Sequence, residues 1–257
     1  MHLAGIQSVP ESWDHPAEVF SVNTGGTATL LRAIEVAAPE AHLMLASTAA
    51  VYGDSPGTGG SGADSRDEPR PFTEDDPVRP GSPYGASKAA AEILTHELAA
   101  RTGLPVTIAR LFNQFGPEQP VAQVPACFAA EIARAEARSE KSVTLKVGNP
   151  AVERDYTDTR DTARALRLAV ERGTTGTFNF CTGTTHSLAR VIEGLAATSK
   201  IEVKVEVRSE CANRNDVAVF AGAPERLKVA TGWSPQVPLD QTVAGMLQYR
   251  REALGRD

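Results

Sequence analysis

The sequence predicts an α/β fold: a doubly wound parallel sheet with helices on both faces, joined to a smaller mixed α/β C-terminal lobe. Short apolar runs at 42–47, 106–111 and 177–182 read as buried strands, and stretches with apolar residues every three or four positions separate them as helices. Beyond residue 115 the pattern becomes more mixed, with half-exposed strands among the helices. The 257 residues, 41% apolar and 23% charged, suffice for a full core in one large or two small domains. Apolar runs reach only about 4–8 residues against the ~20 of a bilayer span, and no charged-then-apolar leader opens the chain, so a soluble, cytoplasmic protein without a membrane partner is expected. A net charge of −6 argues against nucleic acid as a partner. Cys127, Cys181 and Cys211 are odd in number and widely spaced, which reads as small core residues rather than disulfides or a metal site.

Taken in order, Leu3-Ala4-Gly5 reads as the end of a buried strand running into a loop through Gln7-Ser8-Val9. From Asn23 to Ala38, apolar Ala28, Leu31, Ile34 and Ala38 recur at helical spacing, with Pro39 as the stop. His42 to Ser47 is a strand, followed by Thr48 and a turn at Tyr52-Gly53. Asp54 to Pro83 is rich in Gly, Ser, Asp and Pro without periodicity and reads as a long loop, its Gly57–Gly62 part a mobile, solvated insertion. Tyr84 to Arg101 is a helix with Ala90, Ile93, Leu94 and Leu98 on one side, ending at Gly103-Leu104-Pro105, and Val106 to Leu111 is the next strand. Helices at 128–138, 161–172, 224–230 and 239–251 and strands at 143–147, 177–182 and 201–207 complete the chain. The expected division places residues 1–115 and a returning segment at about 161–185 in the sheet domain, and residues 116–160 and 186–257 in the lobe.

The segment Tyr84-Gly85-Ala86-Ser87-Lys88 carries the chemistry. Four helical residues turn the chain by ~400°, so Tyr84 and Lys88 project from one face about one turn apart. A nearby ammonium favours phenolate, so the tyrosine is expected to titrate below its ordinary value near ~10 and to exchange a proton at neutral pH. A bare Tyr-x-x-x-Lys is also an ordinary exposed helix pair. Its position here, after Ser82-Pro83 and downstream of a strand ending in Ser47-Thr48, favours chemistry.

Several further segments follow one another along nearly the whole chain: His2-Leu3-Ala4-Gly5, Val22-Asn23-Thr24-Gly25-Gly26-Thr27, Ser47-Thr48-Ala49-Ala50-Val51-Tyr52-Gly53, Ser82 to Lys88, Arg110 to Pro117, Arg154-Asp155-Tyr156 and Thr231-Gly232-Trp233. In that order they resemble the extended short-chain dehydrogenase/reductase family, in its nucleotide-sugar epimerase, dehydratase and reductase branch. The resemblance implies a Rossmann-like domain, a homodimer, NAD or NADP as cofactor and a GDP-linked nucleotide sugar as substrate. It further implies Thr48, Tyr84 and Lys88 as catalytic residues. Leu3, Ala4, Tyr84, Lys88 and Leu111 would bind the cofactor; Ser8, Asn113, Arg154 and Arg214 would bind the substrate. Guanidinium forks suit diphosphate oxygens, which fits the two arginines.

Within that branch, 4,6-dehydratases place an acidic residue two positions after the catalytic threonine. Ala50 stands there, which disfavours dehydration. Val147-Gly148-Asn149, Arg154 to Asp158, Phe180 to Gly183 and Arg226-Leu227-Lys228 look most like reductases of GDP-4-keto-6-deoxymannose, which form GDP-rhamnose. A 4-epimerase is the alternative. The family's Gly-rich turn for a dinucleotide pyrophosphate has no counterpart in context, since Gly57-Thr58-Gly59-Gly60 follows no strand and opens no helix. The resemblance starts at the family's fourth strand, as if about sixty to seventy residues of the domain were lacking. A non-catalytic sugar-nucleotide binder is therefore a second expectation.

Overall fold

Residues 1–53, 70–211 and 217–255 are described by the structure, a computed structural model. Local signals set the helix ends. Ser8 caps the short helix α1 (Val9–Asp14) by accepting the Glu11 N–H at 3.2 Å, and prolines fall in the first turns of α1 and α2 (Pro16–Phe20). A single π-helical turn, Ser21–Gly25, leads into α3 (Gly26–Ala37). After β1 (Leu43–Thr48) and a tight turn at Ala49–Val51 comes α4 (Pro83–Thr102). Ser82 caps α4 through the Gly85 N–H at 3.1 Å, Pro83 occupies its first turn, and Gly103 ends it at φ 76°, where a side chain would be strained.

The chain continues through β2 (Val106–Leu111), β3 (Asn113–Phe115), α5 (Ala126–Ala137), β4 (Ser142–Val147), β5 (Glu153–Arg154), β6 (Tyr156–Asp158) and α6 (Thr159–Glu171). It ends with β7 (Gly176–Phe180), β8 (His186–Ser187), α7 (Leu188–Thr198), β9 (Glu202–Val207), β10 (Val219–Phe220), α8 (Glu225–Thr231) and α9 (Leu239–Leu254). The expected strands and helices lie within a few residues of these. The short helices α1 and α2, helix α7 and the two- and three-residue strands carried no expectation.

Two compact units divide the chain. The first comprises Met1–Phe112, Ala163–Gly183 and Gly222–Ser234. Its sheet has the order β1-β2-β7 and every pairing is parallel, with Ser47 opposite Arg110 and Arg110 opposite Asn179. One core joins Met44, Ala109, Phe178 and Phe180 of the sheet to Leu166 of α6 and to Leu227 and Trp233. Another packs Leu31 of α3 and Ala91 of α4 on Leu43, Leu45, Val106 and Ile108. Such interlayer burial of apolar area is what holds the sheet and its helices together.

Three features of this unit differ from expectation. Leu3–Gly5 forms no strand: His2 alone bridges β1, donating its N–H to Met44 O at 2.8 Å and accepting from Ala46 N at 3.0 Å. The chain then turns away because Asn23 seizes the next residues, accepting the Ile6 N–H at 2.8 Å and donating to Ile6 O at 3.0 Å. The expected long loop, with its Gly57–Gly62 insertion, lies largely outside the described residues, and its described last part is anchored to the unit, which carried no expectation. Phe72 is buried, bridges Gly222 and stacks on Tyr52 at 4.6 Å. Gly222–Ser234, expected in the lobe, belongs to the first unit because Leu227 and Trp233 fill its core.

The second unit comprises Asn113–Thr162, Thr184–Ala221 and Pro235–Asp257. Parallel pairs β3–β6 and β4–β9 and the small sheet β10-β5-β8 accompany α5, α7 and α9, whose apolar faces enclose Phe115, Ile132, Leu145, Leu195, Met246 and Leu247. Buried carboxylates organise its backbone: Asp161 accepts the N–H groups of Gln236 and Val237, both at 2.9 Å, and Asp158 accepts Thr242 Oγ1 at 2.6 Å. Cys181 is buried and Cys127 packs against the second unit's core, but Cys211 is exposed, contrary to the core reading. Among the described residues no helix is long and apolar enough to cross a membrane, and no cluster of His, Cys, Asp or Glu could hold a metal ion.

Leu227 has no exposed surface, whereas Val229 on the same helix is 88% exposed. Leu227→Ala should lower stability by about 2–5 kcal/mol, and Val229→Ala should stay within about 0.5 kcal/mol of the parent. Urea unfolding curves of the two variants check the contrast.

Candidate active site

The start of α4 is seated against the end of β1. A Cβ built on Gly85 would fall 2.6 Å from the Ala50 carbonyl oxygen, so only glycine permits this approach. The adjacent Tyr84 is thereby brought beside Thr48, whose side chain favours the phenolate. Thr48 also caps the turn that follows it, accepting the Ala50 N–H at 3.2 Å. One helical turn below, the Lys88 ammonium, with the residue 8% exposed, donates to the Ala46 carbonyl at 2.9 Å.

The electrostatics correct the expectation for Tyr84. Burial pushes its phenol above the ordinary value of 10.0, and the Thr48 side chain only partly opposes that. Lys88 is occupied with Ala46, and its own pKa is lowered by burial, which the Glu92 carboxylate counteracts. Desolvation therefore dominates at both groups. Tyr84 is a protonated phenol at neutral pH, suited to giving a proton rather than taking one.

The remaining candidate residues are placed as follows. Leu3 and Ala4 are exposed, Leu111 is partly buried at the end of β2, and Ser8 serves as the α1 cap. In the second unit Asn113 is exposed at the start of β3, while Arg154 Nη1 donates to Glu153 O at 2.8 Å and Val217 O at 2.7 Å. Arg214 lies outside the described residues. The structure thus brings Thr48, Tyr84 and Lys88 together and gives Ser8 and Arg154 backbone partners.

Two features escaped the sequence reading. Asn23, buried in the π-helical turn, donates to Ser87 Oγ at 3.0 Å as well as holding Ile6, so it ties the Gly5–Ile6 turn to α4. A Cβ on Gly5 would meet Asn23 Oδ1 at 2.7 Å and Lys88 Nζ at 3.2 Å, so the Gly5 backbone lies beside Lys88. The second is a polar row across the sheet, Ser47–Arg110–Asn179, met by the carboxylate of Glu92 from α4. A charged residue inside the apolar run Val106–Leu111 is the sequence signal for it, since buried charges occur only when paired.

Comparison with known proteins gives a consistent picture. A family model described as GDP-mannose 4,6 dehydratase matches residues 1–246. The GDP-6-deoxy-D-mannose reductase of Pseudomonas aeruginosa is 30% identical over 248 residues, which cover 96% of this chain and 78% of that protein. The structure of RMD from Pseudomonas aeruginosa complexed with NADPH superimposes with a TM-score of 0.87 at 29% identity, covering 98% of this chain and 79% of the other. A UDP-glucose 4-epimerase from Thermotoga maritima, solved with UDP-glucose, gives a TM-score of 0.82 at 26% identity over 98% of this chain and 77% of its own.

Lys88 titrates below 10.5 in the folded protein and at that ordinary value when unfolded. Between the two values the unfolded chain binds more protons, so stability climbs with pH across the window and levels off above it. Wild type should therefore gain stability relative to Lys88→Met as the pH rises through that range, measured by urea unfolding at a series of alkaline pH values. A pH-independent difference would contradict the burial of a charged Lys88.

Proposed function

Because the chain belongs to the GDP-mannose 4,6-dehydratase family of nucleotide-sugar enzymes, we propose that it reduces the 4-keto group of a GDP-4-keto-6-deoxyhexose. The observation that carries this reading is the seating of α4 on the end of β1, which sets Tyr84 beside Thr48 and Lys88 on the Ala46 carbonyl. Reduction of a ketone needs a hydride on carbon and a proton on oxygen. Tyr84 gives the proton to the developing alkoxide, Thr48 hydrogen-bonds the same oxygen, and Lys88 replaces the positive potential that the departing proton removes. A reduced nicotinamide, NADH or NADPH, supplies the hydride when bound. The residues fit its ribose end, since Lys88 and Tyr84 project from one face of α4 beside the exposed backbone of Leu3–Gly5. Asn113, Arg154 and Arg214 would hold the nucleotide diphosphate.

Position 50 bears on the alternatives. Dehydration needs a carboxyl group to remove and redeliver a proton beside the ketone, and Ala50 offers none. Epimerisation asks for no carboxyl at position 50 and is the alternative reading. The reading includes a homodimer formed through α3 and α4, on which Val36 and Ile93 are 69% and 61% exposed.

The test follows cofactor oxidation with GDP-4-keto-6-deoxymannose as substrate. Turnover with NADH or NADPH is expected, and Tyr84→Phe should lower kcat by about 10²–10⁴-fold while leaving GDP-sugar binding unchanged. Interconversion of UDP-glucose and UDP-galactose with no net cofactor oxidation would replace the reductase reading with the epimerase one. GDP-sugar binding without turnover of either substrate would leave the non-catalytic binder.

A further inference from the structure

Tyr84, Lys88 and Glu92 stand at four-residue intervals on α4, and each grips the end of β1. Tyr84 meets Thr48, Lys88 meets the Ala46 carbonyl, and the Glu92 carboxylate accepts the Ser47 hydroxyl. Glu92 is 2% exposed. It also accepts Arg110 Nη2 at 2.7 Å and Arg110 Nε at 3.2 Å to each oxygen. Ser47 and Arg110 face each other across β1 and β2, so one carboxylate holds a cross-strand pair from the helix above. Beyond Arg110, Tyr52 closes the row: its hydroxyl accepts Arg110 Nη1 at 3.0 Å and donates to Asn179 Oδ1 at 2.7 Å, with the guanidinium 4.8 Å from its ring centre.

A buried ion pair is a poor device for mere cohesion, because desolvation consumes most of its attraction and apolar residues of similar volume hold a core as well. What a fully bonded directional network supplies is register. Helix α4 has particular need of it. The residues it buries around Glu92 (Gly85, Ser87, Ala89, Ala91 and Thr95) are small, and the bulkier Leu94 and Leu98 pack partly buried against the core farther along, so Glu92 adds a directional contact at this end of the helix.

We infer that Glu92 is a positioning residue: by gripping Ser47 and Arg110 it sets the axial position of α4 on β1, and with it the Thr48–Tyr84 and Lys88–Ala46 contacts. Its negative charge also helps keep the buried Lys88 an ammonium. The inference rests on Thr48, Tyr84 and Lys88 being the proton-transfer centre.

The experiment uses the full chain carrying Glu92→Asp, which keeps the charge but draws the carboxylate back by one methylene. Reduction of the keto sugar nucleotide should lose about ten- to a hundredfold in kcat, as an ångström-scale misplacement does, with KM and GDP-sugar binding within about twofold of wild type. A second readout needs no substrate. With 3-fluorotyrosine at position 84, the fluorine NMR titration midpoint should rise in Glu92→Asp, because the phenol moves away from the Thr48 side chain that favours its phenolate. The apolar variant Ser47→Ala/Glu92→Met/Arg110→Met should match or exceed the wild-type Tm and yet show the same loss of kcat and the same rise. Wild-type kcat with an unmoved midpoint in either folded variant overturns the inference. If wild type reduces no keto sugar, the substrate reading fails, and the fluorotyrosine titration still decides the role of Glu92.

Discussion

The seating of α4 on the end of β1 is the contact on which the rest of the site depends. A helix capped by Ser82 and started by Pro83 meets the turn after Thr48 at a distance only Gly85 allows, and its next turns bind Ala46 and Ser47. The parallel pairing of β1 with β2 and β2 with β7 gives this contact a rigid base. Removing water from Tyr84 and Lys88 is a consequence of the same seating. Fold and protonation state therefore share one cause.

That shared cause also bears on the protonation of the phenol. At Tyr84 burial outweighs the Thr48 side chain, at Lys88 it outweighs the Glu92 carboxylate, and the phenol keeps its proton. A protonated donor beside a threonine hydroxyl is arranged for the step in which a ketone becomes an alcohol. The absence of a carboxyl at position 50 disfavours dehydration, while reduction and epimerisation both ask nothing of that position.

Much of this was legible in the sequence. The strands β1, β2 and β7 declare themselves as short apolar runs, and the Tyr84–Lys88 spacing fixes their shared helix face whatever surrounds them. Their pKa directions were not legible, because burial is a tertiary property that spacing cannot carry. The Leu3–Gly5 segment misled for a related reason: its apolar residues suit a strand, but Asn23, far along the chain, captures Ile6 and bends it away. Ser47, Arg110 and Asn179 looked unrelated because only strand register sets them side by side. Of the residues proposed for the diphosphate, Arg154 is seen with its guanidinium donating to backbone carbonyls, an anchoring role that its charge alone does not reveal.

The interleaving of the two units along the chain bears on how the protein is made. Strand β2 waits for β7 until the chain has reached Phe180, and Met44 and Phe178 await Leu227 and Trp233 still longer. During synthesis the ribosome thus exposes a half-covered sheet while most of the polypeptide is yet to emerge, the circumstance in which nascent chains aggregate or recruit chaperones. A chain released before Gly222 would carry Thr48, Tyr84 and Lys88 intact on a sheet whose second face has α6 but lacks Leu227 and Trp233.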